Sequence, residues 1–345
     1  MPSKIDKSSN NNKSRKSKSI NIEDVYKKKT LHEHILTAPD TYIGTTKVDE
    51  VRMFIYDEEK NKIVEDVINY VAGFFKIFDE ILVNARDHTV RDKTCKHIAI
   101  NLNKQTGMIS VYNDGNGIPI AIHKTEKKYL PEMIFSNLLT SSNYEVKGKT
   151  VGGKNGYGSK LTNIYSTEFE IHTIGYDSID KKDKKKVEYK QTFRNNMYDV
   201  GKAIIDNNIS DKTKTFTKVT FYPDYEKFGM TGLTNDMYNL LIKRCYDVAA
   251  STSNKVKITV NNNEIKCREF KDYIKLYYLD EDEEGKKLSK PKITYSKINT
   301  RWEVGIGFNR NVGDRHISFV NGISTFHGGT HVSHVVNNVS SRVID

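Results

Sequence analysis

Glu80 and Asn84 stand four residues apart and Asp87 three further on, so a helix through them would set a carboxylate, an amide and a second carboxylate on one face. Such a face suits a site where a carboxylate takes a proton from water and an amide oxygen holds Mg²⁺. An exposed helix carries the same residues as solvated side chains, so the triplet does not decide by itself. A second group is Asn113-Asp114-Gly115-Asn116-Gly117-Ile118-Pro119. Glycines in alternate positions allow positive φ and close approach to a planar ligand, and the Asn113 side-chain carbonyl can accept from an adenine amino group; a plain turn fits these residues as well. The third group is Gly152-Gly153-Lys154-Asn155-Gly156-Tyr157-Gly158-Ser159-Lys160-Leu161. Its backbone N–H groups at the start of a helix form an anion cradle, with Lys154 and Lys160 as added charge, and phosphate is the expected ligand. The spacing from Gly153 to Gly158 is that of a P-loop, but Ser159-Lys160 reverses the Lys then Ser/Thr order that motif needs. Gly156 and Gly158 also lack the third glycine of a Rossmann fingerprint.

The elements that must carry these groups are legible in the pattern. Phe74, Ile77, Phe78, Ile81, Leu82 and Ala85 recur at helical spacing, which predicts a helix over 71–90 with one face buried. Residues 97–102 and 108–112 alternate as strands around Gly107 and deliver the chain to Asn113. Strands are expected over 167–173, 187–194 and 216–222, with the basic run 181–186 as a solvated hairpin loop. A helix is expected over 237–250, then a strand over 255–260. Upstream, residues 22–36 read as an amphipathic arm that ends at Ala38-Pro39-Asp40, with a loop through Thr41-Tyr42-Ile43-Gly44. From about Cys267 a second unit begins, with an acidic loop at 280–284, strands around 301–308 and 317–320 and a final helix from His331.

The 345 residues suffice for two cores of ordinary size. A mean hydropathy of −0.64 and the lack of any run of eighteen apolar residues argue against a membrane-spanning role. Lys+Arg 55 against Asp+Glu 44 gives a net charge of +11, a bias toward polyanions such as nucleic acid. Cys95, Cys245 and Cys267 are odd in number, far apart and free of any CxxC pair, as in a reducing, intracellular compartment. Residues 1–20 are a Lys-, Ser- and Asn-rich segment expected to be a disordered tail, readable as a nuclear address, a DNA-contacting arm or a solvated end.

In this order and at these separations, the three groups resemble the Bergerat ATP site of the GHKL family, shared by gyrase, MutL, the large heat-shock chaperone and histidine kinases. Within it the wording is most similar to the eukaryotic kind of type IIA DNA topoisomerases: Ala38-Pro39-Asp40-Thr41-Tyr42-Ile43-Gly44, Glu80-Ile81-Leu82-Val83-Asn84-Ala85, Leu138-Leu139-Thr140-Ser141-Ser142-Asn143-Tyr144 and Asn155-Gly156-Tyr157-Gly158. The likeness runs from about Tyr26 to the end. It implies an α+β fold: a GHKL sandwich over 21–265, a mixed sheet with helices on one face, then an α/β transducer domain over 266–345, incomplete at its C-terminal end.

The resemblance implies that Glu80 is the general base and Asn84 the protein ligand to Mg²⁺. Asn113 would read adenine with Thr217 assisting, and Ile118, Ile134 and Phe135 would wall the base pocket. Ser141, Ser142 and Asn143 match ribose and phosphate contacts. Gly153, Lys154, Asn155, Gly156, Tyr157, Gly158, Ser159 and Lys160 form the phosphate loop. Tyr26 matches a tyrosine that reaches the partner's nucleotide site, which implies a homodimer closed by ATP. The implied role is the ATP-hydrolysing N-gate of an enzyme that passes one DNA duplex through another, working in the nucleus or the replication compartment of a large DNA virus. The rivals are another GHKL ATPase, a MutL-like or chaperone-like clamp, and a nucleotide-regulated binding module without turnover.

This chain departs from the family's wording at Arg86, His88, Lys154 and Ser159, where Ala, Asn, Arg and Ala are usual. It also ends before the Gln-Thr-Lys loop whose lysine meets the γ-phosphate, so slow hydrolysis is expected. The DNA-cleaving tyrosine is likewise not in it. His327, His331 and His334 are spaced for a metal, but no fourth ligand or HExxH pattern accompanies them, and a helix surface is the simpler account.

Overall fold

A computed structural model describes residues 28–138, 156–179, 184–267, 269–278, 286, 292–307 and 316–344. Its centre is a nine-stranded sheet ordered β11-β10-β3-β4-β9-β5-β6-β7, with β8 also on β6. The strands are β3 (His97–Leu102), β4 (Ile109–Asp114), β5 (Ser166–Tyr176), β6 (Lys186–Arg194), β7 (Asp199–Val200), β8 (Ile204–Asp206), β9 (Phe216–Pro223), β10 (Lys257–Val260) and β11 (Asn263–Glu264). All pairs are antiparallel except β10 with β3, which makes the sheet mixed.

Alternation decides which face is covered. Ile98, Ile100 and Leu102 of β3, Phe169 and Ile171 of β5 and Val219 and Phe221 of β9 are buried in one cluster with the helices. Their neighbours in sequence point to the other face. Three helices supply the layer: α2 (Ala72–Arg91), α4 (Gly158–Ile164) and α5 (Asn235–Ala250). On α2 the expected stripe of Phe74, Ile77, Phe78, Ile81, Leu82 and Ala85 is wholly buried, each large side chain being worth about 1.5–3 kcal/mol of apolar burial.

Around this layer lie α1 (Leu31–Thr37), a 3-10 turn Pro39–Thr41, the hairpin β1 (Asp49–Asp57) with β2 (Lys62–Tyr70), and α3 (Leu130–Ser136). Helix α1 is capped at both levels of a capping box: Thr30 Oγ1 accepts from Glu33 N, and Glu33 accepts from Thr30 N. After Cys267 come α6 (Phe270–Lys275), the hairpin β12 (Ile293–Asn299) with β13 (Trp302–Gly307), the short pair β14 (Phe319–Val320) with β15 (Ile323–Ser324), and α7 (Thr330–Ile344).

The expected strands and helices are present with boundaries moved by a few residues. Helix α4 starts at Gly158, inside the glycine-rich segment, and the loop after Ala38 contains the 3-10 turn. The β1–β2 hairpin, α3, α6 and β12 were not expected. The acidic run 280–284 and the first half of the basic run, 181–183, lie outside the described residues, while Lys186 already belongs to β6. No helix among the described residues is long and apolar enough to cross a membrane.

Candidate nucleotide site

The buried stripe of α2 turns Glu80 and Asn84 to the opposite side, where Glu80 is half-buried and Asn84 exposed. The third member expected on that face behaves differently. Asp87 is 2% exposed, and Arg86 Nη1 lies 3.1 Å from its Oδ1, so it belongs to a buried ion pair and not to an open acidic face. Arg86 is in turn tied to the Asn321-Gly322 turn, far along the chain, whose Asn321 carbonyl accepts from its Nη1.

Helix α4 enters directly over Glu80. Gly158, its first residue, lies so close that a β-carbon there would overlap the Glu80 carboxylate. Glycine lets the backbone approach the charged group this closely, and a β-carbon would force the Glu80 side chain to shift. Lys76, one turn before Glu80, forms an ion pair with it. Although burial works against its charge, the Glu80 carboxylate holds the Lys76 ammonium above the usual lysine range.

Side chains lock α4 in this place. Thr162 Oγ1 donates to the Ile77 carbonyl of α2 at 2.8 Å, Ser159 Oγ to the Ile134 carbonyl at 3.0 Å and Asn163 Nδ2 to the Phe135 carbonyl at 3.0 Å. Ile134 and Phe135 thus hold the helix through their backbone, while the Phe135 ring packs 5.7 Å from that of Phe169. Tyr157 lies against Tyr42, centroids 6.3 Å apart, and Tyr42 in turn bonds His34. The Thr41-Tyr42-Ile43-Gly44 segment therefore pads the loop end of α4. Gly156 has φ +67°, as a tight entry requires. Lys160 is 2% exposed, and burial pushes its ammonium down to about 8.

The second group arrives on β4. Asn113 is buried and stands directly opposite Thr217 in the β4–β9 register. Its Nδ2 donates to the Asp114 carbonyl at 2.9 Å. Thr217 Oγ1 lies 3.2 Å from Thr173 Oγ1, which also accepts from the Ile118 amide at 3.2 Å. Ile118, Thr173 and Thr217 are thereby linked by hydrogen bonds, with Asn113 on the adjacent strand opposite Thr217. Gly117 must be glycine, because a β-carbon would strike the Ile174 carbonyl. Asp114 is structural: its Oδ1 accepts from the amides of Lys96 and His97 at 2.7 and 2.8 Å. His88 stands one turn past Asn84 with Nε2 3.4 Å from Asp92 Oδ2, and burial holds its imidazole below the ordinary range.

Of the remaining expected site residues, Tyr26, Ser141, Ser142, Asn143, Gly153, Lys154 and Asn155 lie outside the described residues. Sequence reading missed Lys76, Thr162, Asn163 and Thr173. Lys76 was findable, since it stands four residues before Glu80 on the same helix; the other three are recognised only through their partners. Among the histidines, His331 Nε2 lies 3.2 Å from Thr325 Oγ1 and His334 packs edge-on to Trp302.

Comparison with known proteins places the chain in a family. Residues 70–224 match the family model of histidine kinase-, DNA gyrase B- and HSP90-like ATPases, and residues 269–345 that of DNA gyrase B. The chain is 44% identical over 331 residues to DNA topoisomerase 2 of Drosophila melanogaster, an alignment covering 95% of this chain and 22% of that protein. It thus spans about a fifth of the length of the curated relatives it matches. Among solved structures, the ATPase region of Saccharomyces cerevisiae topoisomerase II is similar with a TM-score of 0.82 and 41% identity, over 93% of this chain and 80% of that one. The ATPase and transducer domains of DNA topoisomerase II from Balamuthia mandrillaris give 0.84 and 37%, over 94% and 78%.

Proposed function

Because the chain belongs to the family of type II DNA topoisomerase ATPase regions, we propose that it captures ATP between α2, the end of β4 and α4, and hydrolyses it with Glu80 as general base. The observation that carries this reading is the seating of Gly158 on the Glu80 carboxylate. It brings the only carboxylate of the α2 face that stays accessible to the N-terminal end of the glycine-rich helix, where backbone N–H groups favour phosphate.

In this reading Glu80 accepts a proton from the attacking water, and Lys76 holds its carboxylate in place between turnovers. Asn113 presents its side-chain oxygen to the adenine amino group, since its nitrogen is committed to Asp114, and Thr217 supports it from the paired position on β9. Ile118 and Phe135 flank the base. Lys160 adds charge at the phosphates, and Ser141, Ser142 and Asn143 are assigned to ribose and phosphate, with Gly153, Lys154 and Asn155 completing the loop. The donor set fits Mg²⁺: Asn84 offers a neutral oxygen on the open face, one helical turn from Glu80, and hard oxygen ligands are what that ion takes. When bound, Mg²⁺ would neutralise charge on the phosphates.

At the level of assembly, we infer a homodimer closed by ATP, with Tyr26 crossing to the partner and residues 266–345 acting as the transducer. The gate would serve an enzyme that passes one DNA duplex through another, in the nucleus. The direct test is Glu80→Gln, which keeps shape and removes basicity. Hydrolysis should fall about 10²- to 10⁴-fold while binding of a non-hydrolysable analogue persists; wild-type phosphate release would remove Glu80 from the mechanism.

A further inference from the structure

Behind the face that carries Glu80 and Asn84, two arginines reach from separate helices to one turn. Arg86 of α2 donates from Nη1 to the Asn321 carbonyl at 2.9 Å and from Nη2 to the Ser251 carbonyl, at the end of α5, at 3.2 Å. Arg244 of α5 donates from Nη2 to the Gly322 carbonyl at 2.9 Å and from Nε to Asp79 Oδ1 at 2.7 Å. Consecutive carbonyls of the β14–β15 turn are therefore each held by a guanidinium, and Asp79, the acceptor on α2, is the residue next to Glu80.

The turn is shaped for this contact. Asn321 and Gly322 have φ of +52° and +79°, the two positive values of a tight two-residue hairpin loop, for which Asn-Gly is a favoured pair. A β-carbon on Gly322 would stand 2.7 Å from Arg86 Nε, so the bare turn lies flat on the guanidinium. Both arginines are buried, Arg244 completely. Asp79, Asp87 and Asp247 balance Arg86, Lys243 and Arg244 in charge. Yet Arg86 Nε and Arg244 Nη1 are buried without a hydrogen bond among the described residues. Burying two guanidinium groups with donors unused is a poor way to gain stability. It is a good way to make one turn recognise two helices through directional bonds.

We propose that Arg86 and Arg244 are positioning residues that latch the Asn321-Gly322 turn of the second unit to the back of α2, so that the seat of this turn fixes Glu80 and Asn84 relative to α4. The latch makes nucleotide turnover depend on the second unit, and it rests on the reading of Glu80 as general base. Neither arginine touches the nucleotide, so loss of the latch affects turnover more than binding.

The test compares Arg86→Ala, Gly322→Ala and Glu80→Gln in the whole chain. Arg86→Ala should lower kcat about tenfold while the Kd of a non-hydrolysable analogue stays within about twofold. Gly322→Ala disturbs the same contact from the other side with both charges kept, and should reproduce that split. Arg86→Lys, which has one compact ammonium in place of the planar fork whose two nitrogens each reach a carbonyl, should restore only part of the loss. Hydrogen exchange gives a readout independent of turnover: amides of 76–92 and 319–324 should gain exchange together in both latch variants. Wild-type kcat in Arg86→Ala and Gly322→Ala, beside an inactive Glu80→Gln, overturns the latch and leaves the base in place. Should Glu80→Gln still turn over, the base reading fails and exchange alone decides: helix and turn responding independently overturns the latch, and a joint response sustains it.

Discussion

The Cα of Gly158 rests against the carboxylate of Glu80, at the point where the glycine-rich segment becomes helix α4. Adding a single methyl group there forces the carboxylate away from its seat while leaving its basicity and its Lys76 partner. Gly158→Ala should therefore lower kcat about a hundredfold, the scale expected when a reacting group is misplaced by about an ångström. Analogue binding should change far less. Single-turnover phosphate release beside equilibrium binding measures the two effects separately, and unchanged turnover would dissociate Gly158 from the base.

Asn84 is the exposed amide of the α2 face, and its assigned work is to link protein to metal. In Asn84→Ala, analogue affinity should fall about tenfold, equivalent to about 1.4 kcal/mol, and lose most of its dependence on Mg²⁺. Calorimetric titration with and without the ion checks this. A variant that keeps the full Mg²⁺ response would assign the metal to other ligands.

Lys160 is buried on α4, and burial lowers its ammonium to about 8. Because the folded value lies below the unfolded one near 10.5, the folded chain binds the proton more weakly. The charge therefore costs stability below pH 8, on the order of 3 kcal/mol, and the cost fades as pH rises from 8 to 10.5. Lys160→Met should melt at a higher temperature than the parent at pH 7, with the gap closing by about pH 10. If phosphates meet Lys160, they should restore its proton, so analogue binding near pH 9 should take up protons in the parent and not in the variant. Equal proton uptake in both, from calorimetry in two buffers, would place the phosphates elsewhere.

How far the sequence reaches is visible on α2 itself. The apolar spacing from Phe74 to Ala85 sets the helix and turns Glu80 and Asn84 outward, because burial of that stripe leaves one orientation. The same spacing puts Asp87 beside Glu80, and there it misleads. Whether a polar residue on an outward face meets solvent depends on what the fold packs against it, and the ion-pair partner of Asp87, Arg86, is itself held by the Asn321 carbonyl 235 residues further on. The β1–β2 hairpin escaped for a related reason: its strands pair only with each other, and their buried residues Ile55, Tyr56, Ile63 and Ile68 follow no clean alternation along the sequence. Helix α3 is short and begins with Pro131 at its first turn, which reads as a breaker unless the N-terminal tolerance for proline is weighed. The Asn113–Thr217 pairing was suggested only by resemblance, and it becomes a spatial fact through the β4–β9 register.

The arm before α1 bears on assembly, and α1 gives it a fixed point of departure. Tyr165 Oη donates to the Ile35 carbonyl at 2.6 Å, His32 Nε2 lies 2.7 Å from the Asn196 carbonyl, and the His32 ring stacks on Tyr198 at 4.3 Å. The helix is thus pinned to the sheet side of α4 independently of anything upstream. Its cap, Thr30 with Glu33, is complete within residues 30–33, so removing residues 1–27 should leave α1, the core and the nucleotide pocket folded. If Tyr26 reaches the partner's nucleotide, that deletion should cost dimerisation alone. A non-hydrolysable analogue should shift the intact chain toward dimer, since a ligand touched by both protomers binds the dimer more tightly and draws the equilibrium by mass action. The shortened chain should bind the analogue and dimerise less at every protein concentration. Sedimentation velocity over a concentration series distinguishes the cases, and superimposable profiles for the two chains would rule out a crossing arm.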